Sequence, residues 1–245
     1  MGIDVIKLVG DSFNTLLKNR TVMIFALISA LLGSAFSLAT MSQVQSLKNL
    51  GTGSALSSVL PIIFSVLGTF LIGIIILYLI SVFLLGSMMV AASDSKKSIG
   101  DAASQSISRY LVFLVTSVVT SIITVIGLIL FVIPGIFLGV KLSLASAEAM
   151  VGKKGVVDSL KASWSATTGN FWGIFFAFLV TIIAIYIISI IAVLVFTIVG
   201  LTPVGTFIGT FFGYAITVLI VLIYLSVSPK PAMRAAKKGK KQAVN

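Results

Sequence analysis

The stretch FWGIFFAFLVTIIAIYIISIIAVLVFTIV, residues 171–199, contains no charged side chain. A helix needs about 20 mostly apolar residues to cross the hydrocarbon core of a bilayer, and this stretch exceeds that length. The rest of the chain has a similar character, since 58% of its 245 residues are hydrophobic and only 9% are charged. Soluble domains carry roughly 25% charged residues. The sequence therefore predicts an all-α, polytopic membrane protein.

The same length criterion predicts about six transmembrane helices. The second is longer than one crossing requires, which implies a tilted helix or one that protrudes into the cytoplasm. The fourth is short, which leaves a re-entrant segment open. Pro61 suits the first turn of the second span, and Pro134 with Gly135 predicts a turn between the third and fourth. The predicted spans are residues 21–38, 59–92, 111–133, 136–151, 171–199 and 205–227.

Basic residues alternate between loops in a way that predicts the orientation. Lys and Arg occur in the N-terminal segment and in the segments before the third and fifth spans, whereas the opposite loops contain only Lys48. Because loops rich in Lys and Arg stay cytoplasmic, both termini are predicted to be cytoplasmic, in a cell membrane.

The segment 229–245 is predicted to be a basic cytoplasmic tail. It contains six basic residues and no acidic one. Near a membrane each basic residue contributes about 1 kcal/mol of attraction to anionic lipid, although a tail that only anchors the topology fits equally well. Nothing aromatic accompanies the run, which argues against nucleic acid. The candidate lipid-binding residues are Lys230, Arg234, Lys237, Lys238, Lys240 and Lys241.

A threefold pattern divides the single transmembrane domain, residues 1–228. Each odd-numbered span follows a segment in which apolar residues recur at helical spacing, as in an interfacial amphipathic helix. The pattern predicts three units of amphipathic helix plus hairpin, near 3–92, 97–151 and 155–228. Three unrelated juxtamembrane linkers are the alternative.

Two charged residues, Lys141 and Glu148, lie within the predicted spans. Their seven-residue separation places them on one face of an ideal helix, about 10 Å apart along its axis. Ionisable residues at membrane depth are candidates for a ligand or transport role. The alternatives are a structural pair, or a lysine that extends toward the interface.

Two further patterns concern small or hydroxylated residues. Thr116, Thr120 and Thr124 recur at four-residue spacing in the third span. They could line a hydrophilic path, although such hydroxyls more often bond to their own helix and allow close packing. Gly205, Gly209 and Gly213 form a ridge in the sixth span that favours close helix packing, either within the chain or with a second copy.

The residues argue against catalysis and suggest no cofactor. The chain has no cysteine and no histidine, and its six acidic residues are spread along the sequence. We therefore expect a non-enzymatic module that organises membrane lipid or a partner protein at the cytoplasmic face. A homo-oligomer remains open. The rival hypothesis is a small-solute transporter or channel that uses the polar residues of the third and fourth spans.

One region resembles a known family. The motifs are Phe131–Leu138 with its Pro-Gly pair, Glu148 and Gly152, Val157–Leu160, Ser163-Trp164 and Gly169–Trp172, with Tyr224 in the last span. This order is similar to the membrane domain that is fused to some glycerophosphodiester phosphodiesterases and also occurs alone in bacteria and archaea. The resemblance implies six helices and a prokaryotic membrane. It offers no catalytic residues to carry over, because the matching region contains no phosphodiesterase domain.

The absence of native cysteine allows a direct test of the orientation. A Cys introduced at Thr202 should react with a membrane-impermeant maleimide in intact cells, because the turn at 200–204 is predicted to be external. A Cys at Ser95 should react only after permeabilisation, because its segment is predicted to be cytoplasmic. The reverse labelling pattern would contradict the predicted orientation.

Overall fold

The computed structural model describes residues 3–48 and 56–228, and in this part every regular element is an α-helix. The helices are α1 Val5–Lys18, α2 Arg20–Lys48, α3 Leu56–Ser93, α4 Ile99–Leu130, α5 Val132–Leu142, α6 Ala145–Met150, α7 Val156–Thr167, α8 Phe171–Ile198, α9 Thr202–Gly213 and α10 Ala215–Val227.

Six helical segments are long and apolar enough to cross a membrane, which confirms the predicted fold class. Two of the six crossings are made by a pair of consecutive helices, α5 with α6 and α9 with α10. The segments are Arg20–Ala39, Phe70–Ser93, Ile99–Leu130, Val132–Met150, Phe171–Ile198 and Thr202–Val227.

The helix ends that carry the basic residues meet at one end of the bundle, which we call the basic end. Asn19 caps α2 by accepting bonds from the backbone N–H groups of Thr21 and Val22, at 3.1 and 3.2 Å. Its amide nitrogen also donates to the carbonyl of Ala91, at 3.1 Å, which ties the start of α2 to the end of α3. At this end the ends of α6 and α10 also meet, through a hydrogen bond between Ser228 and Glu148.

The first amphipathic helix, α1, packs across the basic end. The Asp4 side chain caps it by accepting the backbone N–H of Lys7, at 3.1 Å. Its buried face consists of Val9, Ser12 and Leu16, and it packs against α10 and α8. The bundle therefore buries part of the apolar face of this segment, whereas Ile6 is exposed.

The second amphipathic segment differs from the expectation, because it is not a separate helix. Ser98 and Asp101 form a capping box that starts α4, which then continues without interruption to Leu130. No proline occurs between Ser98 and Leu130, so nothing in the sequence ends the helix before the span. Its 32 residues extend about 48 Å at 1.5 Å per residue, more than the roughly 30 Å of hydrocarbon. The third segment does form a separate helix, α7, since Gly169 adopts a φ of +89° directly after it.

The predicted turn at Pro134 and Gly135 is wrong by three residues. The chain reverses at Phe131, and both residues lie in the first turn of α5. Proline is tolerated there because its missing N–H would have no helical partner. Gly135 is required for close approach, since a Cβ at this position would lie 2.5 Å from the backbone nitrogen of Leu128.

The fourth span crosses as two helices and is not one uniform helix. α5 and α6 are separated by Ser143 and Leu144. Together the 19 residues from Val132 to Met150 extend about 28 Å, which matches the hydrocarbon thickness. The sixth span is divided in the same way at Tyr214, after an α9 of similar length to α5.

The glycine ridge of the sixth span packs against α8 of the same chain. A Cβ on Gly205 would lie 2.8 Å from the carbonyl oxygen of Ala192, and one on Gly209 would lie 2.8 Å from Oγ of Ser189. A Cβ on Gly213 would meet nothing within 4 Å. Two of the three glycines therefore serve a contact within the chain.

This difference generates a matched pair of variants. Gly205→Ala should lower the free energy of unfolding by about 1–3 kcal/mol, because the added methyl group meets rigid backbone. Gly213→Ala should leave stability unchanged or slightly raised, since alanine favours helix. Thermal unfolding in one detergent measures both. Equal melting temperatures for the two variants would contradict this packing.

Candidate functional site

The break between α5 and α6 is bridged by a hydroxyl group from α7. Ser163 Oγ accepts the backbone N–H of Leu144, at 3.1 Å, and donates to the carbonyl of Lys141, at 2.8 Å. Thr167 Oγ1 also approaches the Lys141 carbonyl, at 3.3 Å. Backbone groups exposed by a helix break are costly in an apolar environment unless another group bonds them. Ser163 therefore allows the fourth span to bend.

Lys141 is placed by this bend at the α7–α8 connection. It is 6% exposed, and its amine donates to Oγ1 of Thr168, at 2.9 Å. The amine lies 5.5 Å from the ring centre of Phe137 and 5.3 Å from that of Trp164. Both distances are within the range of cation–π attraction. Two aromatic rings and a hydroxyl group therefore surround the ammonium.

Glu148 lies on α6 and has different partners. It is 1% exposed, its Oε2 lies 2.9 Å from the amine of Lys154, and its Oε1 accepts a bond from Ser228, at 3.1 Å. Lys141 and Glu148 therefore do not pair with each other. The ideal-helix geometry that places them on one face does not apply, because the helix is interrupted between them.

The loop after α6 is shaped around this carboxylate. A Cβ on Gly152 would lie 2.6 Å from both the carbonyl oxygen and Oε2 of Glu148. The loop can therefore pass this close to Glu148 only because residue 152 is glycine. Lys153 follows with a φ of 56°. This turn brings Lys154 back onto Glu148, whose carbonyl accepts the Lys154 N–H, at 3.2 Å.

Polar side chains of α4 hold the end of α6. Gln105 donates to the carbonyl of Met150, at 3.0 Å. Arg109 donates to the carbonyl of Ala149, at 3.2 Å, and to the carbonyl of Lys154. The bonds to Ala149 and Met150 satisfy carbonyl groups that a helix C-terminus leaves without intrahelical donors, and the bond to Lys154 holds the loop that follows.

The sequence alone predicts no role for several of these residues. Arg109 is only one of the basic residues before the third span, and no pattern assigns a function to the hydroxyl groups of α7. A signal was present in the four-residue spacing of Ser159, Ser163 and Thr167 along an otherwise ordinary amphipathic helix. All three are fully buried.

The threonine residues of the third span lie in different surroundings. Thr116 is buried and donates to the carbonyl of Val112, at 2.7 Å. Thr120 has a buried hydroxyl oxygen without a hydrogen-bond partner among the described residues. Thr124 lies at the interface with α5, where its Cγ2 would be 3.3 Å from a Cβ on Gly139.

Two cavities adjoin the fourth span, and their linings differ. One, of about 450 Å³, lies between α4, α5, α8 and α10, and its lining is almost entirely apolar. The other, of about 480 Å³, lies at the basic end and includes Glu148, Lys154, Thr168, Asn170 and Ser228. The candidate tail residues Lys230, Arg234, Lys237, Lys238, Lys240 and Lys241 lie outside the described residues.

The role of Ser163 can be tested with a neighbour on the same helix. Ser163→Ala leaves the Leu144 N–H without its partner, which should cost about 1–3 kcal/mol of unfolding free energy. Ser165→Ala removes an exposed hydroxyl group and should have little effect. Thermal unfolding of both variants makes the comparison. A Ser163→Ala protein as stable as the Ser165→Ala protein would show that the bridge is dispensable.

Comparisons with protein-family models, with curated proteins and with solved structures find no match to this chain.

Proposed function

We propose that this multi-pass membrane protein is a non-catalytic module that binds anionic lipid at its basic end, on the cytoplasmic face of the membrane. The observation that carries the proposal is the separation of polarity between the two cavities. The cavity formed by the spans is apolar, whereas the polar cavity lies among the loops of the basic end. Such an arrangement suits a molecule with a hydrocarbon part and a polar head.

The charge at the basic end supports an anionic partner. Nine basic and six acidic residues belong to the segments that meet there, and the tail adds six more basic residues. The tail follows directly on Ser228, whose hydroxyl group bonds Glu148 at this end. The nine basic residues are Lys7, Lys18, Arg20, Lys96, Lys97, Arg109, Lys153, Lys154 and Lys161.

Exposed apolar and aromatic side chains at the same end support contact with the headgroup boundary. Ile6 on α1 is 83% exposed although it belongs to an amphipathic helix. Trp164 and Trp172, on either side of the α7–α8 connection, are also exposed. Tryptophan is enriched where apolar and polar regions of a membrane meet. These side chains suit a position at the level of the lipid headgroups.

The rival transport function would need a polar route through the spans. The membrane-depth cavity is lined by apolar groups, with Thr124 and Ser143 as its hydroxylated residues. Thr116 bonds to its own helix. Transporter sites usually lie near the midplane between polar or unwound segments. The apolar lining therefore favours lipid over a small polar solute.

The two tryptophans of the chain provide a local readout, because both lie at the basic end. Brominated phosphatidylglycerol should quench their fluorescence at lower mole fractions than brominated phosphatidylcholine does. Replacing the six basic tail residues by Gln should reduce this preference by about fivefold or more, which corresponds to ~1 kcal/mol. High salt should weaken it as well.

The control for this experiment keeps the tail length and charge but shuffles the order of residues 229–245. Electrostatic attraction depends on the number of charges near the surface, so the shuffled tail should retain the preference. Equal quenching of the native protein by the two lipids would overturn the proposed function.

A further inference from the structure

The apolar cavity between α4, α5, α8 and α10 is an open groove, and glycines of α5 form part of its lining. Gly135 and Gly139 are one helical turn apart on α5, and both line it. The opposite wall includes Phe175, Leu179 and Ile182 of α8. Since Leu179 is 39% and Ile182 is 48% exposed, the groove opens on the outer surface of the bundle.

The position of this groove determines what can fill it. Its walls belong to segments that are long and apolar enough to span a membrane. An apolar cavity offers water too few polar partners to hold it. The surrounding medium at this depth is lipid hydrocarbon, so an acyl chain is the occupant that the lining matches.

A buried cation lies beside one part of the groove. Val140 and Ser143, which flank Lys141 and Leu142 in the chain, both line it. The Lys141 amine has three donors, and Thr168 is the one hydrogen-bond acceptor that the described residues supply. The ion pair found in the described part of the chain joins Lys154 to Glu148 and does not include Lys141. A buried ammonium without a carboxylate is costly, and an anionic ligand would offset that cost.

Aromatic rings connect the cation to the groove. The ring centre of Phe171 lies 5.2 Å from that of Phe137 and 6.3 Å from that of Phe175. Phe137 contacts the amine, and Phe175 lines the groove. Trp164 contacts the same amine and is 43% exposed. The exposed Thr168 hydroxyl lies beside the amine. A headgroup at the membrane surface can therefore approach this place while its chain follows the groove.

We propose that one anionic phospholipid binds here, with an acyl chain in the groove and its phosphate at Lys141 and Thr168. The inference rests on the proposed lipid-binding function and assigns it a defined site. The phosphate oxygens accept hydrogen bonds from the ammonium, while the Thr168 hydroxyl group accepts from the same ammonium and donates to the carbonyl of Trp164, at 2.7 Å. The contact is charge-assisted, and such bonds are stronger than neutral ones.

Two adjacent residues of α8 provide the test. Ile182 is 48% exposed and lines the groove, whereas Ile183 is 50% exposed and does not. The full-length protein is first delipidated in detergent, and phosphatidylglycerol is then added. Native mass spectrometry should show one phospholipid bound to each protein. Ile182→Trp should lower the bound fraction by about tenfold because the indole fills the groove. Ile183→Trp should bind as the native protein does.

The cation is tested by lipid class, so that loss of stability and loss of binding are separated. Lys141→Gln should abolish the preference for phosphatidylglycerol over phosphatidylcholine in the retained lipid, and Lys141→Arg should keep it. If Lys141→Gln does not fold, the site is still tested by the lipid preference of Lys141→Arg and by the difference in bound lipid between Ile182→Trp and Ile183→Trp.

Retention of phosphatidylglycerol by Ile182→Trp at the native level would overturn the site. It would leave the proposed function intact if the native protein still prefers anionic lipid by tryptophan quenching. No retained lipid in the native protein, together with no quenching preference, would reject both.

Discussion

The fold around the fourth span depends on one constraint: backbone polar groups in an apolar environment must be bonded within the protein. The span is interrupted at Ser143 and Leu144, and Ser163 of α7 bonds both sides of the interruption. The same bonds hold α7 against α5 and α6, which places the start of α8 beside Lys141. The polar cavity of the basic end and the apolar groove between the spans both adjoin the segments that these bonds hold together.

The two charges of the fourth span are separated by that interruption and acquire different environments. Glu148 is enclosed by Lys154, by Ser228 and by a loop that passes close only because residue 152 is glycine. Lys141 is enclosed by aromatic rings and the Thr168 hydroxyl group. A carboxylate with a cationic partner is a structural element of the loop. A cation that has no carboxylate partner within residues 3–48 and 56–228 is suited to an external anion, which is why the proposed lipid site is placed at Lys141.

Similar features occur at the start of the fourth and sixth spans, in α5 and α9. Pro134 and Pro203 lie in the first turns of α5 and α9, whereas Pro61 lies inside α3, which begins at Leu56, and not in its predicted first turn. α5 and α9 have similar lengths and each ends at an interruption, followed by a second helix that reaches the basic end. Glycines on both helices contact the preceding span closely, Gly135 against α4 and Gly205 against α8. The second and third predicted units therefore share these features, whereas α3 of the first unit is one uninterrupted helix.

The sequence by itself determined that the helices suit a lipid bilayer, the all-α fold class and the number of spans. The length of an apolar segment is a local property, so it can be read without knowing which helices pack together. The basic pattern of the loops likewise predicts the orientation. Only the tertiary structure decided that the chain reverses at Phe131, that the Gly205 ridge contacts α8, and that Lys141 and Glu148 do not pair. These outcomes depend on which helix lies opposite. A break in a span is possible only where another segment, here α7 with Ser163, supplies the missing hydrogen bonds, and no local pattern in residues 132–150 contains that information.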